Sequence, residues 1–471
     1  MGLGDIADGI GRSFEALGDG ISEALFEPVV RLGVTGLSRA GKTVFITSLV
    51  ANLLERGRMN GLSAQAEGRI LSAYLQPQPD DTVPRFDYET YLAALSGPDP
   101  RWPESTRAVS ELRLSFRVAP AGMLAGLRSP RTVHLDIVDY PGEWLLDLAL
   151  LDKSYAEWSA QTLTRIAPRP MAGEFLALAD RAEADAKFSE GAAKELARAF
   201  TAYLVAAREA GFSDCTPGRF LLPGEMEGSP ALTFAPLPMP GKRPARGALY
   251  REMERRFDAY KSRIVKPFFR DHFSRIDRQV VLMDVLGAVH SGPQALDDLR
   301  RAMADILAAF RPGQNAFLTQ LFLGRRVEKI LFAATKADHL HHRQHPALTG
   351  LSQAMMREAI GRAEFAGAEV SALSIAALRA TTEARVEHDG RELDCVRGTL
   401  LNGKTAAMYP GELPDDPMAL LAPAQDGAEA WLDGEFDVMR FAPSGAPNAA
   451  GDGPPHIRLD RAAEFLFGDQ L

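Results

Sequence analysis

The sequence predicts an α/β fold in which a mostly parallel sheet carries helices on both faces. Three observations carry this. Short apolar runs end abruptly in glycine or polar residues at 29–36, 132–144, 278–292, 329–340 and 368–381. Segments with helical spacing lie between them, as in 42–58 and 293–310. The first apolar run passes through a glycine-bracketed loop straight into an apolar-faced helix, the alternation that parallel strands require.

The first unit is "VVRLGVTG", a buried strand, followed by "GLSRAGKT" at residues 36–43. This matches G-x-x-x-x-G-K-[ST]. Such a loop wraps backbone N–H groups around phosphate oxygens, and its glycines allow close approach and positive φ. The helix that follows, with Val44, Phe45, Leu49 and Leu53 on one face, adds its positive dipole end to a bound anion. The expected phosphate contacts are Gly36, Ser38, Arg39, Ala40, Gly41, Lys42, Thr43 and Val44. Lys42 would reach the β- and γ-phosphates, and the Thr43 hydroxyl would bind Mg²⁺. The fold class is therefore that of a P-loop nucleotide-binding sheet.

The next strand, in "TVHLDIVDYPGEW", ends at Asp139, and Asp139-Tyr-Pro-Gly142 fits D-x-x-G. Asp139 would hold Mg²⁺, usually through water, and the Gly142 N–H would sense the γ-phosphate. Asp, Pro and Gly also favour plain turns, so the phosphate loop upstream gives this motif its weight. "RQVVLMDVLGAVHSG" reads as a buried strand and a turn, and 293–310 as a helix with Pro in its first turn. The strand in "KILFAATKADHL" runs into Thr335-Lys336-Ala337-Asp338, which fits [NT]-K-x-D. Guanine presents N1–H and an exocyclic amine on one edge. A single carboxylate, Asp338, can accept both, while the Lys336 stem packs along the base. Residues 368–381 supply the last strand. Ser371-Ala372-Leu373 and Ala376-Ala377-Leu378 both fit a degenerate fifth motif; Ala377 and Leu378 sit better, after a strand of ordinary length.

These elements are spread by insertions. The expected organisation is an acidic amphipathic N-terminal helix (1–28), a first nucleotide-binding part (29–144) interrupted at 56–109, a helical insertion (145–275), a second nucleotide-binding part (276–384) and a β-rich region (385–471). Thr106 is the best switch threonine in the first insertion and equally reads as a cap or turn residue. The second insertion starts directly after D-x-x-G, positioned to respond to the γ-phosphate. Its Pro/Gly-rich stretch 222–247 reads as an extended loop.

Composition bounds the rest. The 471 residues are 46% hydrophobic and 24% charged, with a net charge of −9. No basic excess is present for nucleic acid. Two cysteines, Cys215 and Cys395, are too few for a disulfide framework, which suits a reducing, cytoplasmic location. Neither a membrane span nor a signal peptide is expected. The N-terminal pattern Ile6, Ile10, Phe14, Leu17, Ile21, Leu25 has an acidic polar face, so it is expected to pack on protein rather than on an anionic membrane. His339, His341, His342 and His345 could bind a transition metal, but no cysteine stands near them in sequence, the one adjacent carboxylate is Asp338 of the T-K-A-D motif, and the expected loop position argues against a site.

"GLSRAGKTVFITSLV", "DIVDYPGEWLLDL", "LFAATKADHLHH", "SIAALRAT" and the tail "IRLDRAAEFLFGDQL" resemble the YcjX-like family of bacterial GTPase-type P-loop proteins. The resemblance runs from Leu32 to the C-terminus. It implies a cytosolic protein that binds GTP and GDP with Mg²⁺, is linked to stress responses, and touches the membrane through a membrane-protein partner. A second copy of the chain, met through the nucleotide face, is the other expected partner. An ATPase of motor or chaperone type, or a nucleotide-gated scaffold with little turnover, remains the alternative. Small GTPases commonly place Gln after D-x-x-G to orient water; Glu143 stands here, also a natural first-turn acid. The loop with Arg39 at its fourth position is similar to that of guanylate-binding proteins, whose arginine acts on the phosphates in cis. A solvent-facing Arg39 is the other reading. The expected catalytic residues are Arg39, Lys42 and Thr106.

Overall fold

The computed structural model describes residues 27–37, 40–103, 108–122, 129–271, 275–308, 327–365, 367–431, 436, 438–444 and 451–471. The N-terminal amphipathic segment up to residue 26, Ser38, Arg39 and Thr106 lie outside them. Among the described residues no helix is long and apolar enough to cross a membrane. Both cysteines are buried free thiols.

Strand β1 (Val29–Gly36) leads to helix α1 (Lys42–Glu55). Strand β2 (Ile70–Gln76), helix α2 (Tyr88–Ser96) and strands β3 (Ser110–Val118) and β4 (Arg131–Asp139) follow. Beyond the helical insertion come β5 (Arg278–Met283), β6 (Lys329–Ala334) and β7 (Glu369–Ser374). These seven strands form one sheet in the order β2-β3-β4-β1-β5-β6-β7. From β4 to β7 every pairing is parallel, whereas β2, β3 and β4 pair antiparallel. Strand β5 is buried at all six positions, as a central parallel strand covered on both faces must be. The segment 56–109 thus adds an edge strand, β2, and a helix, α2, to the sheet's own layers. Strand order reverses at β1, which has β4 on one side and β5 on the other. A crevice opens at the carboxyl end of such a strand, and the 36–43 loop occupies that position.

Two apolar layers cover the sheet. Alternate β1 residues Val30, Leu32 and Val34 pack with Phe45, Leu49 and Leu53 of α1 and with the C-terminal helix. On the other face, Val281, Met283, Ile330 and Phe332 belong to a cluster that continues without a break into the insertion.

The segment that follows β4 is largely helical. Helix α3 (Gly142–Leu146) opens it, followed by α4 (Tyr155–Ile166), α5 (Gly173–Arg181), α6 (Glu190–Glu209) and α7 (Leu249–Tyr260). Ser154 and Glu157 form a capping box at α4, and the Ser189 hydroxyl caps α6. The centre is aromatic: Trp158 stacks on Phe257 at 4.9 Å and meets Phe200 and Phe234 edge-on. The Pro/Gly-rich stretch makes two short 3₁₀ turns, Gly224–Met226 and Pro230–Leu232, before a well-held extended run. Tyr155 and Ser159 donate hydroxyl hydrogen bonds of 2.7 and 2.6 Å to the carbonyls of Ala235 and Leu237.

Two differences from the sequence reading appear beyond β5. The predicted turn after that strand is helix α8 (Val285–His290), because Asp284 caps it by accepting the Gly287 N–H at 2.9 Å. Helices α9 (Pro293–Ala308) and α10 (His345–Phe365) then flank β6. The region after 385 is not purely β. The three-stranded sheet β8 (Thr381–His388), β9 (Arg391–Thr399) and β10 (Thr405–Met408) is joined by α11 (Met418–Gln425) and α12 (Leu459–Phe467). Leu459, Ala462, Ala463 and Leu466 of α12 are buried on the β1 and α1 face, an i, i+3, i+4, i+7 stripe.

The insertion grips α3 through one buried carboxylate. Asp147 accepts the Gly218 N–H at 2.8 Å and the Tyr260 hydroxyl. Burial pushes its carboxyl from about 3.8 up to about 7, against the pull of those hydrogen bonds. A carboxyl whose folded value is raised stabilises the fold fully below its unfolded value and loses that contribution as pH rises through the folded one. Wild-type stability should therefore fall by a few kcal/mol between about pH 4 and about pH 7 relative to Asp147→Asn, which cannot ionise. Urea unfolding of both proteins across that range checks this; parallel pH profiles would refute it.

Candidate nucleotide-binding site

The 36–43 loop is shaped by glycine at both ends. A Cβ on Gly36 would come within 2.9 Å of Leu282 Cβ and 3.0 Å of its carbonyl oxygen, so the loop leaves β1 pressed against β5. Gly41 has φ +81°, a left-handed conformation that glycine adopts without strain. It is the N-cap of α1, and no side chain caps that helix. A glycine N-cap brings no side-chain acceptor to the first turn, as in helices whose N-termini take an anion. Ala40 is buried and donates its N–H to the Leu37 carbonyl at 3.1 Å. Thr43 is buried, Lys42 and Val44 half-buried. Thr47 Oγ1 donates to the Thr43 carbonyl at 2.7 Å, fixing the first turn.

The D-x-x-G segment lies against this loop. Asp139 ends β4 beside Val34 of β1 and is 1% exposed. Tyr140 donates its hydroxyl to Gln279 Oε1 at 2.9 Å, and burial raises its pKa far above the ordinary phenol value. Gly142 makes the tightest approach: a Cβ there would stand 1.9 Å from the Gly36 carbonyl oxygen. Only glycine allows two backbones this close. Glu143 is also buried and faces the insertion, with Oε1 3.8 Å from Arg208 Nη1.

The T-K-A-D loop is held by its neighbours on both sides. Thr335 N–H donates to the Met283 carbonyl at 2.9 Å, and Ala337 N–H to that of Ile375 at 3.0 Å. Lys336 has φ +61° and puts Nζ 2.5 Å from Asp284 Oδ2. Asp338 is 4% exposed; its Oδ2 accepts the Ala380 N–H at 2.8 Å, and its carbonyl accepts the Thr381 hydroxyl. The His345 ring donates Nε2–H toward the carbonyls of Ala337, at 2.8 Å, and Leu340, at 3.3 Å. Burial holds that ring's pKa below the ordinary histidine value, so it braces the loop as a neutral donor.

Of the two fifth-motif readings, Ser371-Ala372-Leu373 lies inside β7, paired with Leu331, Phe332 and Ala333 of β6. Ala377 and Leu378 follow the strand and are buried, next to Ala376, which pairs with Ile457 of the C-terminal segment. Phosphate-loop and D-x-x-G residues thus come into direct contact, and the T-K-A-D and post-β7 residues into a second group. Both groups sit at the carboxyl edge of the sheet, separated by β5.

Sequence reasoning missed three supporting residues. Asp284 carried a readable signal, an acid between an apolar strand and a Gly three residues on. Gln279 follows Asp277 and Arg278 at the edge of an apolar run, so its buried hydrogen bond carries no distinct signal. The Ala380 N–H, a backbone group, carries none. The histidines do acquire a carboxylate partner, from 41 residues downstream: Glu383 accepts from the His342 N–H.

The model of the YcjX-like family, DUF463, matches residues 30–471. A protein of Escherichia coli (strain K12) named "Ras-like GTPase YcjX" is 39% identical over 462 residues, covering 94% of this chain and 96% of that protein. One of the same name from Shewanella oneidensis (strain ATCC 700550 / JCM 31522 / CIP 106686 / LMG 19005 / NCIMB 14063 / MR-1) is 37% identical over 467 residues, covering 94% of each. The mostly parallel seven-stranded sheet is the α/β fold of a P-loop GTPase. With a family model that matches nearly the whole chain, the chain belongs to the YcjX-like family.

Proposed function

We propose that the protein binds GTP with Mg²⁺ and hydrolyses it slowly to GDP, using the helical insertion as the element that responds to the γ-phosphate. The carrying observation is the Gly142–Gly36 backbone contact. It sets the glycine that would sense the γ-phosphate against the 36–43 loop, whose helix has a glycine N-cap with no side-chain cap. In this reading Gly36, Ser38, Arg39, Ala40, Gly41, Lys42, Thr43 and Val44 surround the phosphates, and Lys336, Asp338, Ala377 and Leu378 surround the base. β1 and β6 are two strands apart, about 10 Å, a span that an extended nucleotide bridges. The buried Thr43 and Asp139 offer the hydroxyl and carboxylate oxygens a hard cation prefers, and would hold Mg²⁺. The ion, when bound, neutralises phosphate charge. The names of the relatives support guanine over adenine.

Slow turnover is supported by Glu143. Its carboxylate is directed to Arg208 and carries a charge unsuited to a site beside a γ-phosphate. Arg39 is the proposed replacement, neutralising charge that develops between the β- and γ-phosphates. Thr106 is the proposed switch threonine. A membrane-protein partner, reached from the cytoplasm, and a second copy across the nucleotide face complete the proposal; a stress or envelope process is its setting. Titration of GDP, GTP and ADP with and without Mg²⁺ tests the reading; equal affinity for ADP would replace it with the ATPase alternative.

Asp338→Asn should weaken GDP binding by about 2–4 kcal/mol while the chain stays folded. The amide has one oxygen for both the Ala380 N–H and the base, and turns its NH₂ toward a donor. Unchanged GDP affinity by calorimetry would remove the guanine reading. Gly142→Ala must push the phosphate loop away and should lower GTP affinity at least about tenfold. Gly173→Ala, where a Cβ meets nothing within 4 Å, is the matched control and should bind as wild type. Arg39→Ala should keep GTP affinity within about tenfold yet slow single-turnover hydrolysis at least about a hundredfold, with wild-type rates equal in Na⁺ and K⁺ buffers. A variant as fast as wild type would eliminate the arginine finger.

A further inference from the structure

Next to the T-K-A-D loop, two imidazoles and a carboxylate converge. His341 and His342 follow the loop directly, and Glu383 comes from β8. One ligand atom from each of the three lies within 4.8 Å of the others. Glu383 Oε2 is the common point, 2.9 Å from His342 Nδ1 and 3.5 Å from His341 Nε2. The other carboxylate oxygen, Oε1, is held by the His342 backbone N–H at 3.1 Å. That leaves Oε2 directed at the two rings. Ligands of a tetrahedral zinc ion lie roughly 3.4 Å apart, as bonds of about 2.1 Å dictate. The two spacings from Oε2, 2.9 and 3.5 Å, lie on either side of that value.

We propose that His341, His342 and Glu383 form a binding site for one divalent transition-metal ion of the zinc class. The ligand chemistry selects it: imidazole nitrogens favour zinc, cobalt or nickel over magnesium or calcium, which prefer oxygen. His341 is buried, and its far nitrogen, Nδ1, faces Asp394 Oδ2 at 3.8 Å. Nδ1 also meets the Arg343 backbone N–H at 3.5 Å; with a metal on Nε2 the ring proton would sit on Nδ1, on the side of Asp394. Asp394 is itself held by Arg343 at 2.8 Å and Arg385 at 3.3 Å. His342 is largely exposed, which leaves the fourth coordination position to water. The remaining two histidines of the sequence cluster do other work: His345 braces the loop carbonyls, and His339 packs edge-on against Phe441.

The position gives the ion a structural consequence. His341 is three residues beyond Asp338. Glu383 is two beyond Thr381, which with Ala380 holds Asp338 from the other side. A bound ion therefore fastens together the two segments that carry the Asp338 carboxylate. The metal site does not depend on which nucleotide that carboxylate reads.

The test is a titration of the chelator-stripped full-length protein, without added nucleotide, with Zn²⁺ and with Co²⁺. One ion per chain should bind with micromolar or tighter affinity, and Co²⁺ should give the intense visible absorption of a four-coordinate site. Glu383→Gln and His342→Ala should each weaken binding at least about tenfold. Both sites are partly solvent-exposed, so these variants keep the fold, verified by circular dichroism. His341→Ala should do the same or more. His388→Ala, at an exposed histidine outside the cluster, should bind as wild type, and Mg²⁺ should not compete. Absence of saturable binding would overturn the site, as would several weak ions per chain whose affinity ignores Glu383→Gln and His342→Ala.

Discussion

Two backbones in contact, Gly142 on Gly36, set the terms for much of this molecule. Neither residue can carry a side chain: a Cβ at Gly142 would fall 1.9 Å from the Gly36 carbonyl oxygen, and one at Gly36 would strike Leu282. The exit of β4 is thereby locked to the exit of β1, which is in turn locked to β5. Whatever moves one loop must move the other, because packed elements at van der Waals contact shift together. The same contact fixes where α3 begins. A second close approach lies one residue on, where a Cβ at Gly218 would meet the Glu143 carbonyl at 2.0 Å. The phosphate loop, D-x-x-G and the insertion are thus stacked backbone on backbone.

The insertion is consequently not an independent ball of helices. Its aromatic centre continues into Val281, Met283 and Phe332 of the sheet. Polar links cross the same boundary. Arg169 forms a buried ion pair with Asp298 of α9, and Asp298 also accepts the N–H groups of Ser213 and Asp214 at 2.6 and 2.8 Å. Trp144 of α3 donates its indole N–H to the Leu222 carbonyl at 3.1 Å while the Arg219 guanidinium lies 3.2 Å over its ring. Breaking a buried ion pair leaves an uncompensated charge, so the boundary resists separation. Under the proposed function, a response to nucleotide would take the form of a small shift of a continuous core rather than a hinge between bodies.

What was legible in the sequence follows from how local each signal is. Strand β1, its loop and α1 are written in 27 consecutive residues, and the fixed spacing of G-x-x-x-x-G-K-T reports a fixed backbone shape. Asp139-x-x-Gly142 and Lys336-x-Asp338 were readable for the same reason. Parts assembled from distant segments were not. β2 joins the sheet through β3, some forty residues on, and its apolar content alone does not announce an edge strand. The α12 stripe reads as a helix but not as a lid on β1 and α1 across four hundred residues. The histidine run looked incomplete as a ligand set because its carboxylate comes from β8, beyond α10 and β7.

Glu143 shows why a departure from the usual small-GTPase pattern need not be a defect. With Gln in that position the side chain is neutral and free to order water. Here the residue is the first-turn acid of α3, where the helix dipole favours a negative charge. Its burial also places it opposite Arg208, near the end of α6. At 3.8 Å the pair is long for a hydrogen bond but close enough for attraction in a poorly screened interior. A γ-phosphate arriving next to Gly142 would bring negative charge toward this carboxylate. Repulsion of Glu143 would then press it further onto Arg208, coupling phosphate charge to the position of α6. Under the proposed function, the residue that gives up water orientation would gain an electrostatic link from the nucleotide to the insertion, which a neutral glutamine could not provide.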